Sequence, residues 1–75
     1  MKVVVKVTLR KSILDPQGKA IENALVHLGF SGVSDVRQGK LIEMDVPDGT
    51  STDKIAEMCQ KLLANPITED FEIVA

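Results

Sequence analysis

Residues 2–10 read KVVVKVTLR, in which apolar side chains alternate with charged or polar ones. Successive side chains of an extended strand point to opposite faces, so Val3, Val5 and Val7 share one face. Alternation of this kind, rich in valine, is typical of a strand with one buried face. Val4 interrupts the polar face, and an apolar residue at that position predicts contact with a second chain.

The next segment predicts an amphipathic helix with a defined start and end. Asp15 suits the N-cap position, where its carboxylate accepts hydrogen bonds from free backbone N–H groups, and Pro16 suits the first helical turn. Apolar residues follow at helical spacing and form one stripe: Ala20, Ile21, Ala24, Leu25 and Leu28. Gly29 ends the helix, because glycine readily adopts positive φ just beyond a helix C-terminus.

The central region has β character and two interpretations. Its apolar residues are Val33, Val36, Ile42, Met44 and Val46. If Gln38-Gly39 forms a tight turn, the region is a hairpin of strands 33–37 and 40–46. If the same pair forms a bulge or bend, the region is one long curved strand. We favour the hairpin and keep the single bent strand as the alternative.

The last third of the chain predicts a second helix and a closing strand. Residues 50–53 offer capping side chains and an acidic residue for the first turn. An apolar stripe at helical spacing follows: Ile55, Met58, Cys59, Leu62 and Leu63. Pro66 disfavours helical geometry at Asn65 and ends the helix there. Residues 67–74 form the final strand.

The order of these elements defines an α+β fold. With the central hairpin it is βα(ββ)αβ, a two-layer, ferredoxin-like plait with an antiparallel sheet and two helices on one face. We expect residues 1–75 to be a single domain, because 75 residues leave no room for a second. So small a core without a disulfide predicts association into a dimer or a tetramer.

Composition excludes several classes of partner. Nine basic and eleven acidic residues give a net charge of −2, which suits poorly the phosphate neutralisation that dominates nucleic-acid binding. No apolar run is longer than three residues, the length of the run at residues 3–5, which is far too short to span a membrane. Cys59 is the only cysteine, and a lone free thiol fits a reducing compartment. We therefore expect a cytoplasmic protein with no nucleic-acid and no membrane partner.

The reactive residues do not form a catalytic pattern. His27 lies beside the apolar stripe of the first helix, with no partner set at a suggestive spacing. Cys59 falls inside the stripe of the second helix, where a buried cysteine acts as a small hydrophobic residue and lacks an activating base. The pair at residues 69–70 is more typical of a solvated face than of an acid–base pair. A binding or assembly module is favoured over an enzyme.

Two polar turns are the best candidates for binding. Residues 15–18 open the first helix, whose N-terminus can attract an anion. Residues 37–40 read RQGK and place two cations around a glycine. Neither turn matches a phosphate-binding loop or a dinucleotide-binding motif. From residue chemistry alone, a capped helix start and a solvated turn are the favoured interpretation, and binding is the alternative.

Together these segments resemble the PurS family, the small subunits of phosphoribosylformylglycinamidine synthase. The resemblance spans essentially the whole chain and is carried by Asp15-Pro16-Gln17-Gly18, Ala24-Leu25, Leu28-Gly29-Phe30, Val36-Arg37-Gln38-Gly39-Lys40, Met58-Cys59, Leu62-Leu63-Ala64-Asn65-Pro66-Ile67 and Glu69-Asp70-Phe71. Each piece alone is weak, but their order and spacing are specific. Thr68 stands where an aliphatic residue is expected and Phe71 where tyrosine is common, two mild departures.

The resemblance implies a non-catalytic subunit of an ATP-dependent amidotransferase complex in de novo purine synthesis. Such a complex converts formylglycinamide ribonucleotide, glutamine and ATP into formylglycinamidine ribonucleotide, glutamate, ADP and phosphate. A PurL-type synthetase subunit and a PurQ-type glutaminase subunit are the implied partners, which this chain would bridge while assisting ammonia transfer. ATP, Mg²⁺ and glutamine serve the complex, and no cofactor is expected in this chain. The partner-interface candidates are Asp15, Pro16, Gln17, Gly18, Arg37, Gly39, Lys40, Asn65 and Pro66.

The alternative class is a free-standing regulatory domain of the ACT type, which binds a small molecule at a dimer interface. Such a domain shares the plait, and the loop after its first strand would offer backbone N–H groups to a ligand carboxylate. Here Asp15 is acidic and Pro16 lacks an N–H, which disfavours that use of the loop.

Overall fold

Three strands and two helices, the second extended by a π-helical segment, make up the fold. In the computed structural model, which describes residues 1–74, they are β1 (Lys2–Leu9), α1 (Pro16–His27), β2 (Gly39–Asp45), α2 (Thr52–Met58), the π-helical segment (Cys59–Leu63) that continues α2, and β3 (Glu69–Ile73). The described part of the chain contains no helix that is both long enough and apolar enough to cross a membrane.

β1 is the central strand of an antiparallel sheet with the order β2-β1-β3. Val5 lies opposite Ile42 of β2 and opposite Ile73 of β3. The predicted alternation is confirmed, because Val3, Val5 and Val7 are almost completely buried. This strand therefore supplies the centre of the core.

The buried core lies between the sheet and the second helix. It consists of Val3, Val5, Val7, Ile55, Cys59 and Ala64, with Ile42, Met44, Val46, Leu63, Phe71 and Ile73 packed against it. The N–H of Ala64 donates to the carbonyl of Cys59, five residues earlier, at 2.9 Å, which is the spacing of a π-helix. The predicted second helix is thus confirmed, with a wider last turn that leaves both Cys59 and Ala64 buried.

The predicted central hairpin is wrong. Residues 33–38 form no strand, and β2 begins only at Gly39, so the sheet has three strands. The alternative interpretation, a single central strand, gives the correct number of strands, although β2 is shorter than that interpretation predicts. Asp35 has a φ of 55°, which an extended strand does not accommodate, and Asp15 takes the Gln38 N–H that a hairpin would use. The α+β class, with an antiparallel sheet and two helices, is confirmed.

α1 begins and ends where the sequence predicts but contributes no side chain to the core of the described residues. Its only buried residue is Gly18, and Leu28 of its apolar stripe is 73% exposed. The chain then turns back along the helix, and the Phe30 N–H donates to the carbonyl of Leu25 at 3.0 Å. We call residues 16–38 the arm. The molecule measures 48 × 24 × 14 Å and is therefore elongated.

Candidate partner-binding site

The residues that the sequence analysis singles out gather at one end of the sheet. β1 ends there, and both outer strands begin there: Gly39 lies opposite Thr8, and Glu69 lies opposite Leu9. Three separate stretches meet at this end, which we call the site end: residues 15–18, residues 37–40 and residues 65–66.

Asp15 makes the most hydrogen bonds of the candidates. Its Oδ1 accepts from the N–H groups of Gln17 and Gly18 at 3.1 Å each, so it is the N-cap of α1 as predicted. Its Oδ2 accepts from the N–H of Gln38 at 2.7 Å. These bonds, the one from Gln38 foremost, hold the pKa of the Asp15 carboxyl below its usual 3.8, with a smaller contribution from the Arg37 charge. Asp15 is only 5% exposed, so it joins two segments rather than facing a partner.

Gly18 and Gly39 stand where two stretches of backbone approach closely. A Cβ at Gly18 would collide with the carbonyl oxygen of Val36 and lie 2.9 Å from the Asp15 carboxylate. A Cβ at Gly39 would lie 2.5 Å from the carbonyl oxygen of Val7. Only glycine fits such spacing without movement of the neighbouring backbone. Both predicted glycines therefore shape the site end by packing.

Arg37 and Gln17 tie the loops of the site end together. The two terminal nitrogens of Arg37 donate to the carbonyls of Ile13 and Lys11, at 2.7 Å each. The side-chain amide of Gln38 donates to Oε1 of Gln17 at 2.6 Å. The guanidinium of Arg37 is thus already engaged within the chain, which was not apparent from its position in a polar turn.

Glu69 joins Lys40 to the turn at Asn65 and Pro66. Oε1 of Glu69 accepts from the Asn65 N–H at 2.7 Å, and its Oε2 lies 3.7 Å from Nζ of Lys40. Arg10 donates to the carbonyl of Pro66 at 2.6 Å. The Lys40 side chain is 61% exposed and that of Glu69 only 17%. Lys40 therefore presents its charge to solvent, while Glu69 anchors the turn.

A cleft of about 330 Å³ opens between the start of α1 and the sheet. Val7 and Leu9 supply its apolar wall. Its polar lining includes Gln17, Gln38, Lys40 and Glu69, and Pro16 stands at its edge on the first turn of α1. A lining of this kind can bind a mixed polar and apolar segment of another protein, because it offers both donors and acceptors beside an apolar wall.

Cys59 and His27, the single cysteine and the single histidine of the chain, lie outside this cleft. Cys59 is fully buried in the core, and burial raises the pKa of its thiol. Nδ1 of His27 lies 2.7 Å from the Asn23 carbonyl on the exposed surface of α1. Within residues 1–74 no group of His, Cys, Asp and Glu side chains is arranged to hold a metal ion.

Two residues of the site end were missed as candidates by sequence reasoning: Arg10 and Glu69. Gln38 lies within the predicted turn 37–40, but it contributes mainly its backbone N–H, for which no sequence pattern exists. Glu69 carried a usable signal, because an Asn-Pro turn leaves free N–H groups that a nearby carboxylate can accept from. Its position four residues after Asn65 fits that role better than the solvated face that the sequence analysis favours.

The class of protein follows from these features. The fold is small and α+β, the site end is polar and hydrogen-bonded, and the thiol is buried, which together define a binding or assembly subunit. The family model described as PurS, phosphoribosylformylglycinamidine (FGAM) synthase, matches residues 2–75. The chain belongs to this PurS family, so the resemblance drawn from its sequence is confirmed.

Individual relatives agree over nearly the whole chain. The PurS subunit of Mycobacterium leprae is 49% identical over 72 residues, covering 96% of this chain and 91% of that protein. The PurS subunit of Bacillus subtilis is 44% identical over 72 residues, covering 93% of this chain and 86% of that protein. Both are described as phosphoribosylformylglycinamidine synthase subunits.

Solved structures show the same fold. A structure of Bacillus subtilis PurS superposes with a TM-score of 0.86 at 43% identity and covers 97% of this chain and 94% of that one. A chain in the structure of PurLQS from Thermotoga maritima superposes with a TM-score of 0.82 at 30% identity. The match covers 97% of this chain and 93% of that one. The chain is therefore assigned to the PurS family and not to the alternative class, the ACT-type regulatory domains.

Proposed function

We propose that this chain is the small, non-catalytic subunit of an FGAM synthase complex in purine biosynthesis. In this role it bridges a PurL-type synthetase subunit and a PurQ-type glutaminase subunit and assists the transfer of ammonia between them. The observation that carries the proposal is its similarity, over 97% of its length, to a chain in the PurLQS structure. ATP-dependent amidotransfer is then the activity of the complex, to which this chain contributes contacts.

The exposed area of the isolated chain supports association. It exposes 5493 Å², whereas a compact folded protein of its mass exposes about 4,500 Å². The excess is on the order of 1,000 Å², close to one partner's share of a standard interface. Several large apolar side chains contribute to it: Leu14, Leu28, Phe30, Leu62 and Ile67. We therefore expect the chain to self-associate into a dimer or a tetramer.

The partner contact is best placed at the site end. Its turns are exposed yet fixed by internal hydrogen bonds, so a partner would meet them already ordered, which lowers the entropic cost of binding. Its exposed members among the candidates are Pro16, Gln17, Gly39, Lys40, Asn65 and Pro66. The Lys40 charge would act mainly on encounter rate and register.

We assign ATP, Mg²⁺ and glutamine to the other subunits of the complex. The carboxylates of Asp15 and Glu69 do not fit a metal site, because both already accept hydrogen bonds from backbone N–H groups. The N–H groups of Gln17 and Gly18 are likewise taken by Asp15, so the start of α1 does not offer them to an anion. A free cysteine fits a reducing cytoplasm.

Size-exclusion chromatography of this chain with a synthetase and a glutaminase subunit tests the proposal. We expect all three to elute together, and the synthetase and glutaminase to separate when this chain is omitted. Co-elution of those two subunits to the same extent with and without this chain would contradict a bridging role. The full chain, residues 1–75, is used as a single domain because the family model spans residues 2–75.

A further inference from the structure

We propose that Asp48, in the turn between β2 and α2, is a modification site at which the folded chain forms isoaspartate spontaneously. The reaction transfers the main-chain link from the α-carboxyl to the side-chain carboxyl of Asp48 and needs no enzyme or cofactor. The inference concerns the covalent chemistry of this chain alone. It therefore stands or falls independently of the proposed function.

The turn leaves the peptide between Asp48 and Gly49 unrestrained. The N–H and the hydroxyl of Thr50 both donate to the carbonyl of Pro47, at 3.1 and 2.6 Å, and close a β-turn with Asp48 and Gly49 at its centre. The Gly49 N–H has no hydrogen-bond partner within residues 1–74. No atom outside the adjoining residues lies within 4 Å of the place where a Cβ of Gly49 would sit. The Gly49 nitrogen can therefore turn toward the Asp48 side chain without losing a bond or a packing contact.

The reaction begins with attack of the Gly49 nitrogen on Cγ of the Asp48 carboxylic acid. The N–Cγ bond forms, one Cγ–O bond breaks, and the amide proton leaves with the hydroxyl group of the acid as water. A second water opens the five-membered imide. Attack at Cγ restores aspartate, and attack at the α-carbonyl gives isoaspartate, which lengthens the connection from β2 to α2 by one carbon. Glycine favours the first step because it has no side chain to crowd the nitrogen.

Most other aspartate and asparagine residues are excluded by the residue that follows them or by regular secondary structure. Proline, which has no N–H to react, follows Asp15 and Asn65. The others in this group are Asn23 in α1, Asp70 in β3 and Asp35, which precedes a β-branched valine. None of them combines a glycine neighbour with an unrestrained peptide.

Asp45 and Asp53 are matched controls close to the site. The Val46 N–H, which follows Asp45, donates to a main-chain carbonyl at 2.8 Å. The Lys54 N–H, which follows Asp53, donates to the N-cap hydroxyl of α2 at 3.3 Å. Both controls and the site lie in the tryptic peptide of residues 41–54, so one peptide reports all of them.

The turn lies away from the surfaces assigned above to partners. It follows Asp45, which pairs with Lys2 at the end of the sheet opposite the site end. The apolar side chains assigned to self-association are not part of it. The Asp48 side chain is 95% exposed, and its Oδ1 lies 2.9 Å from the N-terminal ammonium of Met1. An ion pair so exposed restrains a side chain only weakly.

Incubation of the folded full chain at neutral pH for several weeks, followed by peptide mapping, tests the proposal. An endoproteinase that cleaves before aspartate does not cleave before isoaspartate. We therefore expect progressive loss of cleavage at Asp48 and unchanged cleavage at Asp45 and Asp53. The loss should be as fast as in the same chain unfolded in guanidinium chloride, because the turn does not restrain the reacting peptide.

Two variants provide the controls. Asp48→Glu keeps the charge but would have to close a six-membered ring, so isoglutamate should not accumulate. Asp48→Asn should form isoaspartate faster than the wild type, because ammonia leaves an amide more readily than hydroxide leaves a carboxylate.

Two results would overturn the proposal. The first is unchanged cleavage at Asp48 in the folded wild type over a period in which the unfolded chain loses it, which would mean that the turn protects this residue. The second is an equal loss of cleavage at Asp45 or Asp53, which would mean that the structure does not select the site. If either variant fails to fold, the comparison of folded and unfolded wild type decides.

Discussion

Oδ2 of Asp15 accepts a 2.7 Å hydrogen bond from the backbone N–H of Gln38, 23 residues further along the chain. The contact joins the start of α1 to the residue that precedes β2 and so spans the base of the arm. It also unites two turns that are separate in the sequence, residues 15–18 and residues 37–40, into one surface. This buried carboxylate therefore joins two of the three stretches that form the site end.

Asp15 should make the stability of the chain depend on acid pH. Its pKa in the folded chain lies below the usual 3.8, so the unfolded chain binds the proton more readily. The stabilisation is then fully present above the unfolded value and is lost as pH falls through the lowered folded value. We expect the midpoint of urea unfolding to be level above about pH 5 and to decline below about pH 4.

The Asp15→Asn variant should be less stable at pH 7 and should show a weaker acid decline, since it cannot lose a charge at this position. Asp45→Asn removes the same charge from an exposed position and should retain the wild-type curve. If the midpoint of urea unfolding fell with pH equally in the wild type and in Asp15→Asn, the role assigned to this carboxylate would be contradicted.

Gly18→Ala should destabilise the chain by about 1–3 kcal/mol, the range for overpacking. The sign of this change in stability is informative, because alanine normally stabilises a helical position by about 0.5–1 kcal/mol relative to glycine. Here the added methyl group meets the carbonyl oxygen of Val36, which is backbone and cannot simply rotate away. Urea unfolding of the purified variant measures the change, and a stability equal to or above wild type would show that the close approach is absent.

Lys40→Ala should leave the chain folded and weaken its assembly with the synthetase and glutaminase subunits. The Lys40 side chain is largely exposed, and its ion pair with Glu69 is long, at 3.7 Å, so its net contribution to stability is below about 1 kcal/mol. Lys54→Ala, on the exposed surface of α2, is the matched control. Equal assembly of both variants at several salt concentrations would remove Lys40 from the interface.

Arg37→Ala should behave differently from Lys40→Ala. Because Arg37 donates to the carbonyls of Ile13 and Lys11, its loss should lower the unfolding midpoint as well as assembly. A variant that assembles poorly but unfolds like the wild type would place Arg37 in the interface instead.

Cys59→Ala should reduce stability by about 1–2 kcal/mol, as expected for shortening a buried side chain, without reducing the glutamine-dependent activity of the assembled complex. The thiol is fully buried and burial raises its pKa, so in the folded chain it should react slowly with a thiol reagent at neutral pH. Loss of activity in a complex that still assembles would instead give Cys59 a chemical role.

Much of the fold followed from local patterns. The valine alternation located β1, the Asp15-Pro16 pair and Gly29 bounded α1, and the stripe through Ile55 and Cys59 located the second helix. These signals are predictive because each depends on residues close together in the chain.

The central region was mispredicted because its structure depends on contacts distant in sequence. Residues 33–38 contain the valines of a strand, but Asp15 takes the Gln38 N–H and Arg37 bonds back to Ile13. The same reasoning placed residues 15–18 correctly at the start of α1, but it took residues 37–40 for a turn, whereas Gly39 and Lys40 begin β2. It also could not show that Arg37 and Gly18 are engaged inside the chain. Hydrogen bonds between a side chain and a backbone group more than twenty residues away leave no periodic pattern in the sequence.

The most direct test of the central claim is reconstituted FGAM synthesis with two nitrogen donors. Product formation by the synthetase and glutaminase subunits is measured with glutamine and with ammonium chloride, in the presence and absence of this chain. A bridging subunit without catalytic residues should be required for the glutamine-dependent rate and should leave the ammonium-dependent rate of the synthetase largely unchanged. A glutamine-dependent rate that is the same with and without the chain would contradict the claim.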